Sequence, residues 1–406
     1  MEEWKTYKLS EIGTVVGGAT PSTKVAENYD GDIPWITPKD LSNFSGRFIE
    51  HGERNITQQG FDSCSCQMLP KDSVLFSSRA PIGYVAIAAV PLCTNQGFKS
   101  VIPNEKIVDP RFLYYLLKFN KERIAEMGSG TTFMEVSGGV MKNVEVCLPE
   151  LTVQKRAAEI LSSIDDKIEL NNRINHNLEE QAQALYKSWF VDFEPFKGGN
   201  FVDSELGLIP EGWRVGTLSE LGDIVAGGTP SKTKPEYYTN NGIAWLTPKD
   251  LSVKCNKFTA RGEIDITEDG YKNSSAKLMP RGSVLFSSRA PIGYISIAKG
   301  GICTNQGFKS VVPTYAGTAY LYYWLCENTE AIEAQASGST FKEASGSLMR
   351  SFPALVPEKS VIDSFEKELS PIHNEQEILE EEINHAEQIR DSLLPRLMSG
   401  ELFMNC

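Results

Sequence analysis

The chain has 406 residues, of which 41% are hydrophobic and 23% are charged, a composition typical of a globular protein with two or three domains. No run approaches the roughly 18 apolar residues of a membrane span, and the first residues lack the apolar segment of a secretory signal. The eight cysteines are scattered and include no Cys-x-x-Cys pair. We therefore expect a reduced, cytoplasmic protein without a zinc site.

The net charge of −13 is unevenly distributed along the chain. Residues 358–406 contain 4 basic and 12 acidic residues, and residues 151–210 contain 6 and 10, whereas the two larger blocks, 1–150 and 211–357, are close to neutral. A uniformly basic nucleic-acid-binding surface is therefore excluded. A neutral block can still present one basic face.

Residues 1–150 and 211–357 are two copies of one domain, which we call head 1 and head 2. The longest repeated runs, all at an offset of 210, are TPKDLS at 37–42 and 247–252, VLFSSRAPIGY at 74–84 and 284–294, and CTNQGFKS at 93–100 and 303–310. Other motifs repeat at offsets of 208 or 209, which indicates short insertions in loops. Such self-similarity predicts two similar globular domains.

Each head is predicted to be a mixed α/β domain. The runs VLFSS, YVAIAAV and SVIP have the lengths and apolar patterns of strands, and Pro, Gly and Asn separate them. Residues 110–127 and 317–336 read as helices.

The segment after each head is predicted to be a long helix. Residues 152–190 contain neither Pro nor Gly, and a helix over them would be about 58 Å long at about 1.5 Å per residue. Side chains recur there, and again in residues 358–406, at the 3-4 spacing of a coiled-coil seam. The predicted seam residues are Leu161, Ile164, Ile168, Asn171, Asn175, Leu178, Leu185, Ile372, Leu379, Ile383 and Leu393.

An apolar seam on an acidic helix needs a partner, and each helix is the obvious partner of the other. We predict an antiparallel coiled coil that relates the heads by a pseudo-two-fold axis and holds them at a fixed separation. The central helical region is predicted over residues 151–196, a linker over 197–210 and a C-terminal helical region over 358–406. Pro371 and Pro395 are expected to kink or restart the second helix. The seam asparagines either set the register or contact another subunit, and the sequence leaves both interpretations open.

The sequence offers no catalytic or metal-binding site. No histidine occurs in both heads, because His51 of head 1 aligns with Arg261 of head 2. His176 and His385 lie on the predicted helices. A Ser-His-Asp or Cys-His site common to the heads is therefore excluded. Neither a GxxxxGK[ST] phosphate loop, a convincing GxGxxG, nor the signatures of an adenine methyltransferase are found.

Polar loops shared by the heads remain as candidates for function. Arg, Lys, Asn and Gln read base edges, while Ser, Thr and Lys suit phosphates. The candidate DNA-binding residues are Thr20, Ser22, Lys39, Ser77, Arg79, Asn95, Gln96, Lys99 and Thr132 in head 1, and Thr229, Ser231, Lys249, Ser287, Arg289, Asn305, Gln306, Lys309 and Thr340 in head 2.

Several of these residues have a structural alternative. Arg79 could pair with a buried carboxylate, and Asn95 with Gln96 could close a turn. Trp35 is predicted to lie in the core, and Asp40 to cap or orient a loop rather than to approach an anion. The same alternatives apply to the equivalent residues of head 2.

These features resemble the specificity subunit of type I restriction–modification systems. The resemblance covers the whole chain in the family's order. It depends on LGLIPEGW at 206–213, SSRAPIGY in both heads, LEEQAQALYKSWFVDFEPF at 178–196 and LLPRLMSGEL at 393–402.

The resemblance implies a non-catalytic protein with two target-recognition domains, each reading one half of a split double-stranded DNA sequence. The helices would act as a spacer and as the docking site of two methyltransferase subunits, which use S-adenosylmethionine to methylate adenine at N6. Motor-nuclease subunits that use ATP and Mg²⁺ would complete the restriction complex. The chain itself would have no cofactor and no membrane contact.

The likeness of the heads predicts similar half-sites in inverted orientation. Residues 43–69 differ most from their counterparts at 253–279, and Gln58-Gln59 there becomes Glu268-Asp269. If these segments touch bases, the half-sites differ at one or two positions. Two rival interpretations are a self-sufficient methyltransferase or nuclease with unfamiliar motifs and a coiled-coil scaffold whose heads bind something other than DNA.

Overall fold

The computed structural model describes residues 4–42, 44–79, 81–130, 134–253, 256–338 and 342–403. The chain forms two compact units: unit 1 comprises residues 1–170 and 383–406, and unit 2 comprises residues 171–382. Each unit therefore contains one head together with a stretch of both long helices. None of the helices in these described ranges combines the length and the apolar character needed to cross a membrane.

Head 1 combines short strands with short helices. Its strands are β1 (Lys5–Lys8), β2 (Gly13–Gly17), β3 (Tyr29–Ile33), β4 (Trp35–Ile36), β5 (Phe48–Ile49), β6 (Val74–Phe76), β7 (Val85–Ala88), β8 (Cys93–Thr94), β9 (Lys99–Pro103) and β10 (Glu145–Leu148). Its helices are α1 (Leu9–Ile12), α2 (Pro38–Ser42), α3 (Gln58–Asp62), α4 (Pro110–Phe119), α5 (Lys121–Glu126) and α6 (Gly138–Lys142). The helix predicted over residues 110–127 is thus divided at Asn120.

A five-stranded sheet in the order β2-β9-β6-β7-β5 organises head 1. The β5–β7 pair is parallel and the other neighbours are antiparallel. β1 pairs with β10, and β4 with β8. Helix α4 begins at Pro110 because the Asp109 side chain accepts hydrogen bonds from the amides of Arg111 and Phe112, both at 3.0 Å. Its buried face packs in one apolar cluster with the sheet.

Head 2 repeats this plan. Its strands are β13 (Arg214–Thr217), β14 (Gly222–Ala226), β15 (Tyr238–Thr239), β16 (Trp245–Leu246), β17 (Phe258–Thr259), β18 (Asp265–Ile266), β19 (Val284–Ser288), β20 (Ile292–Ala298), β21 (Cys303–Thr304), β22 (Lys309–Pro313) and β23 (Pro353–Val356). Its helices are α8 (Leu218–Leu221), α9 (Pro248–Val253), α10 (Glu268–Lys272), α11 (Thr318–Gln335) and α12 (Gly346–Ser351). The sheet order β14-β22-β19-β20-β17 matches head 1 strand for strand. A hairpin of β11 (Phe201–Ser204) and β12 (Gly207–Pro210) precedes head 2.

Two 40-residue helices follow the heads: α7 (Leu151–Phe190) and α13 (Lys359–Met398). In unit 1, Arg390 pairs with Asp165 at 3.0 Å, and Leu161 shares an apolar cluster with Leu397. As residue numbers increase along α7, the α13 residues that they contact have decreasing numbers. The two stretches are therefore antiparallel.

The helix stretches in unit 2 are also antiparallel. The Asn171 amide donates to Glu382 at 2.9 Å, and the Gln376 amide donates to Glu179 at 3.0 Å. Phe365, which is fully buried, contacts Tyr186. The prediction of a mixed α/β protein with two similar heads and two long paired helices is confirmed.

The eleven predicted seam residues lie at buried or half-buried positions. Leu161, Ile168, Asn171 and Leu379 are buried, and Ile164, Asn175, Leu178, Leu185, Ile372, Ile383 and Leu393 are half-buried. The expected restart of the helix at Pro371 or Pro395 was wrong, because α13 runs through both prolines. A kink at either proline stays a prediction. Both prolines are exposed, so water can satisfy the carbonyl group left by each missing N–H.

Candidate nucleic-acid interface

The repeated Ser-Ser-Arg run lies where the central strand of each sheet ends. In head 1 the Ser77 hydroxyl donates to the Pro81 carbonyl and accepts from the Tyr84 amide, both at 2.8 Å. Ser287 makes the same two contacts in head 2. Both serines are fully buried, so their assignment as direct DNA contacts is corrected: their hydroxyls hold the loop that presents the following arginine.

A carboxylate brings the arginine of this loop and a lysine of the neighbouring strand together. In head 1, the Glu135 carboxylate forms ion pairs with Arg79 Nε at 3.0 Å and with Lys99 Nζ at 3.4 Å. The Val136 amide donates to the Ser78 carbonyl at 2.9 Å, which fixes the glutamate beside the loop. Burial acts to raise the pKa of Glu135, but the hydrogen bonds and charges of Arg79 and Lys99 outweigh it and hold the pKa below its usual range.

Head 2 contains the same cluster. The Glu343 carboxylate forms ion pairs with Lys309 Nζ at 3.1 Å and with Arg289 Nη1 at 3.4 Å. The Ala344 amide donates to the Ser288 carbonyl at 2.9 Å. The arginine side chains remain 45% and 36% exposed in the two heads, whereas the lysine side chains are only 15% and 11% exposed. The arginines are therefore the members that a ligand can reach.

We call Arg79, Lys99 and Glu135, with their equivalents Arg289, Lys309 and Glu343, the Arg-Lys-Glu clusters. The alternative in which the arginine pairs with a buried carboxylate is confirmed for the pairing and wrong for the burial, because both carboxylates are only half-buried. Sequence reasoning missed both glutamates as site residues. Their repetition at an offset of 208, two residues before a repeated Ser-Gly, was the available signal.

The Thr-Asn-Gln run forms a turn beside this cluster. The Asn95 side chain accepts from the Gly97 amide at 2.8 Å, and Asn305 accepts from Gly307 at the same distance. The predicted turn-closing role is confirmed for the two asparagines. The exposed Gln96 meets the Thr20 hydroxyl, and Gln306 meets Thr229 in the same way.

The paired glycines of the first loop serve close packing. A Cβ on Gly18 would collide with the backbone carbonyls of Thr94 and Asn95, and a Cβ on Gly227 would collide with those of Thr304 and Asn305. The glycines therefore let this loop lie directly against the Thr-Asn-Gln turn.

A second pair of loops carries exposed lysines. Lys39 meets Glu53 at 2.6 Å, and Lys249 meets Glu263 at 3.1 Å. Asp40 accepts from the Thr37 amide and hydroxyl at 2.6 and 2.7 Å, so its predicted loop-orienting role is confirmed.

The remaining predicted residues fall into three groups. Trp35 and Trp245 lie in the core as predicted. Ser22 and Ser231 are exposed in the first loop of each head. Thr132 and Thr340 lie outside the described residues.

Each head also attaches to the helices through a buried cation that sequence reasoning missed. In unit 1, Arg47 donates to Glu169 at 2.9 Å and to Asp166. In unit 2, Lys257 donates to Glu179 at 2.6 Å and to Gln376 at 2.9 Å. Position 257 is position 47 shifted by the repeat of 210, which was the signal that could have found the pair.

One histidine of α13 is held neutral, and the described part of the chain has no metal-binding cluster. His373 on α13, which faces Lys257 and Glu179, has its pKa lowered to about 3, chiefly by burial, and is therefore neutral at pH 7. Across the described ranges, no group of three or more His, Cys, Asp or Glu side chains is arranged to hold a metal ion.

Fold and loops together define a class of protein with two similar heads that carry polar loops, each head attached to a stretch of paired helices. A family model described as the type I restriction modification DNA specificity domain matches residues 1–180 and 210–388. The chain belongs to this family.

Two relatives resemble the chain over nearly its whole length. It is 35% identical to the MjaIX specificity subunit of Methanocaldococcus jannaschii, covering 99% of this chain and 94% of the relative. It is 26% identical to the HindI specificity subunit of Haemophilus influenzae, covering 99% and 100%. The crystal structure of a type I restriction-modification S subunit from M. genitalium has the same fold, with a TM-score of 0.64 at 16% identity, covering 98% of this chain and 96% of that one.

Proposed function

We propose that this chain recognises a bipartite double-stranded DNA sequence for a type I restriction–modification complex, with one half read by each head. The observation that carries the proposal is the Arg-Lys-Glu cluster, which occurs twice on the same strand framework in a member of a DNA specificity family. Arginine presents a planar pair of donors that suits guanine or phosphate.

Each head would divide its contacts between the DNA backbone and the bases. The exposed Lys39 and Lys249 suit phosphates, because a lysine contributes charge without a fixed geometry. The exposed amides of Gln96 and Gln306 suit base edges. Backbone contacts would hold each head in register, and base contacts would give specificity.

Catalysis is assigned to other subunits. A methyltransferase has to extrude its adenine from the duplex, so a separate chain that holds the DNA in register relieves it of sequence recognition. We propose that two methyltransferase subunits with S-adenosylmethionine dock on the long helices, and that motor-nuclease subunits with ATP and Mg²⁺ join them. This chain would bind no cofactor and act in the cytoplasm.

The two half-sites should be similar and inverted. This expectation is supported by the strand-for-strand match of the heads and by the repeated Arg-Lys-Glu cluster. Half-sites about one helical turn apart would lie on one face of the duplex.

Methylome sequencing of cells that carry the system tests the proposal. We expect adenine methylation in one bipartite sequence with related half-sites. Two unrelated half-sites would contradict the similarity, and methylation without any defined sequence would contradict recognition itself.

Binding experiments with the full chain and its methyltransferase partner test the residues. Arg79→Ala with Arg289→Ala should abolish retention of the methylated sequence. The matched control is Arg111→Ala with Arg214→Ala, which removes two exposed arginines outside the candidate loops and should retain the sequence. Equal behaviour of the two double variants would contradict the assignment.

S-adenosylmethionine binding separates this proposal from a self-sufficient methyltransferase. The chain alone should show no saturable binding in calorimetry, whereas its complex with the methyltransferase should. Saturable binding to the chain alone would favour the enzyme.

A further inference from the structure

Head 2 contains an open cleft at its candidate DNA-contact loops. The cleft has a volume of about 760 Å³ and is lined by Lys249, Arg289 and Asn305, with Tyr238 and Trp245 on its aromatic side. The side chain of Ile264 also lines it and is 41% exposed. An apolar side chain is thus presented among groups that suit phosphate and base edges.

The tyrosine–tryptophan pair on the aromatic side of this cleft has a counterpart with the same arrangement in head 1. Tyr238 meets Trp245 edge to face at 5.8 Å, and Tyr29 meets Trp35 edge to face at 5.9 Å in head 1. The tyrosine hydroxyls donate to Pro230 and to its counterpart Pro21 at 2.7 and 2.8 Å. The two sites can therefore be compared residue by residue.

One position differs in chemical character. Alignment of HGERNIT at 51–57 with RGEIDIT at 261–267 places Arg54 of head 1 opposite Ile264 of head 2. The Arg54 guanidinium lies over the Tyr29 ring at 4.1 Å. Its Nε and Nη2 donate to Asp30 at 3.0 and 3.1 Å, and head 2 has Thr239 where head 1 has Asp30.

These contacts fix the orientation of the arginine and leave donors free. Asp30 uses Nε and one N–H of Nη2, so the outer edge of the guanidinium, formed by Nη1 and Nη2, can still donate two parallel hydrogen bonds. Such a pair matches O6 and N7 of guanine in the major groove. An exposed isoleucine offers no hydrogen bond and instead suits the C5-methyl group of thymine.

Neither Arg54 nor Ile264 is explained by a contribution to the stability of the fold. The side chains of Arg54 and Asp30 are 48% and 72% exposed, and ion pairs at that exposure contribute little to folding. Ile264 leaves much of its apolar surface in water.

We propose that Arg54 and Ile264 are the specificity-determining residues that make the two half-sites differ at one base. Arg54, held by Asp30, reads guanine in the half-site of head 1, and Ile264 contacts thymine at the equivalent position for head 2. This inference rests on the proposed function.

The test selects binding sites from a pool of randomised duplexes with the full chain and its methyltransferase partner. Arg54→Lys keeps the charge but removes the planar pair of donors, and it should lower the preference for guanine at one position about 10-fold or more. Ile264→Arg should abolish the thymine preference at the equivalent position of the other half-site. Arg111→Lys is the matched control in head 1 and should select the wild-type sequence.

Asp30→Asn provides a second, independent variant. Asparagine tolerates the positive φ of 64° at this position but removes the carboxylate that orients Arg54. Guanine preference should weaken at the position that Arg54→Lys affects.

The outcomes separate this inference from the proposed function. A wild-type complex that selects one bipartite sequence, with variants that select the same bases, overturns the inference alone. A wild-type complex that selects no sequence overturns the proposed function and the inference with it.

Discussion

Removing the carboxylate from both Arg-Lys-Glu clusters should make the protein bind DNA more tightly and less selectively. In Glu135→Gln with Glu343→Gln, the side chains keep their shape but lose their charge. The net charge of each cluster rises from +1 to +2, because one arginine and one lysine then face no carboxylate. The arginines also lose the partner that fixes their orientation.

The magnitude follows from counterion release. Each additional neutralised phosphate steepens the dependence of log K on log salt by about 0.9. One extra contact per head therefore steepens the slope by about 1.8, which corresponds to an additional loss of affinity of roughly 10-fold between 50 and 200 mM salt. The ratio of specific to non-specific affinity should fall, because a freed arginine gains phosphate contacts on every sequence.

Fluorescence anisotropy with a random duplex, measured for the full chain with its methyltransferase partner across this salt range, provides the assay. Glu126→Gln with Glu333→Gln removes the same charge from exposed helix positions and serves as the control. A slope unchanged from wild type, or equal to that of the control, would refute the idea that these carboxylates restrain the cations.

The remaining predictions concern the attachment of the heads to the helices. Arg47→Met should lower the free energy of unfolding of unit 1 in urea by about 2–3 kcal/mol, because it leaves Glu169 without its buried partner. Lys39→Met removes a fully exposed pair and should leave the free energy of unfolding nearly unchanged, so equal losses would contradict this. Phe365→Ala should destabilise unit 2 by about 3–5 kcal/mol in the same assay, because it removes a fully buried ring from an aromatic cluster. A loss below about 1 kcal/mol would argue against that packing. Burial acts to raise the pKa of Glu179, but its buried partners, chiefly the Lys257 cation, outweigh burial and hold the pKa below its usual range. The stability that this charge contributes is present above the unfolded-state pKa and is lost as pH falls through the lower folded-state pKa. The free energy of unfolding, measured from pH 6 to pH 3, should therefore fall less steeply in Glu179→Gln than in wild type. Parallel curves for the two proteins would disprove the linkage.

The repeat, the long helices and their antiparallel pairing could be predicted because they depend on patterns many residues long. A 3-4 spacing over residues 152–190 leaves few other structures open, and the seam it predicts is buried or half-buried from Leu161 to Leu185. The expectation of a restart at the prolines was wrong because a proline rule considers the helix alone. Pro371 is tolerated where its neighbouring carbonyl reaches water.

The candidate site was harder to predict because it depends on contacts between distant segments. Sequence alone placed Arg79 and Lys99 among polar residues but gave no means of joining them to Glu135, which lies 36 or more residues further along the chain. Ser77 was misjudged for a related reason. A hydroxyl that could contact phosphate looks the same in sequence as one that closes a loop from inside, and only burial separates the two.

The composition of unit 1 has a consequence for synthesis on the ribosome. Leu397 and Met398 fill the same apolar cluster as Phe112 and Leu161, yet they are translated only after the whole of unit 2. Unit 2 is continuous in sequence and can complete its folding first. During that time part of the apolar surface of head 1 remains uncovered. We therefore expect head 1 to stay incompletely packed until Leu397 and Met398 have emerged, an interval in which chaperones or proteases can reach its uncovered apolar surface.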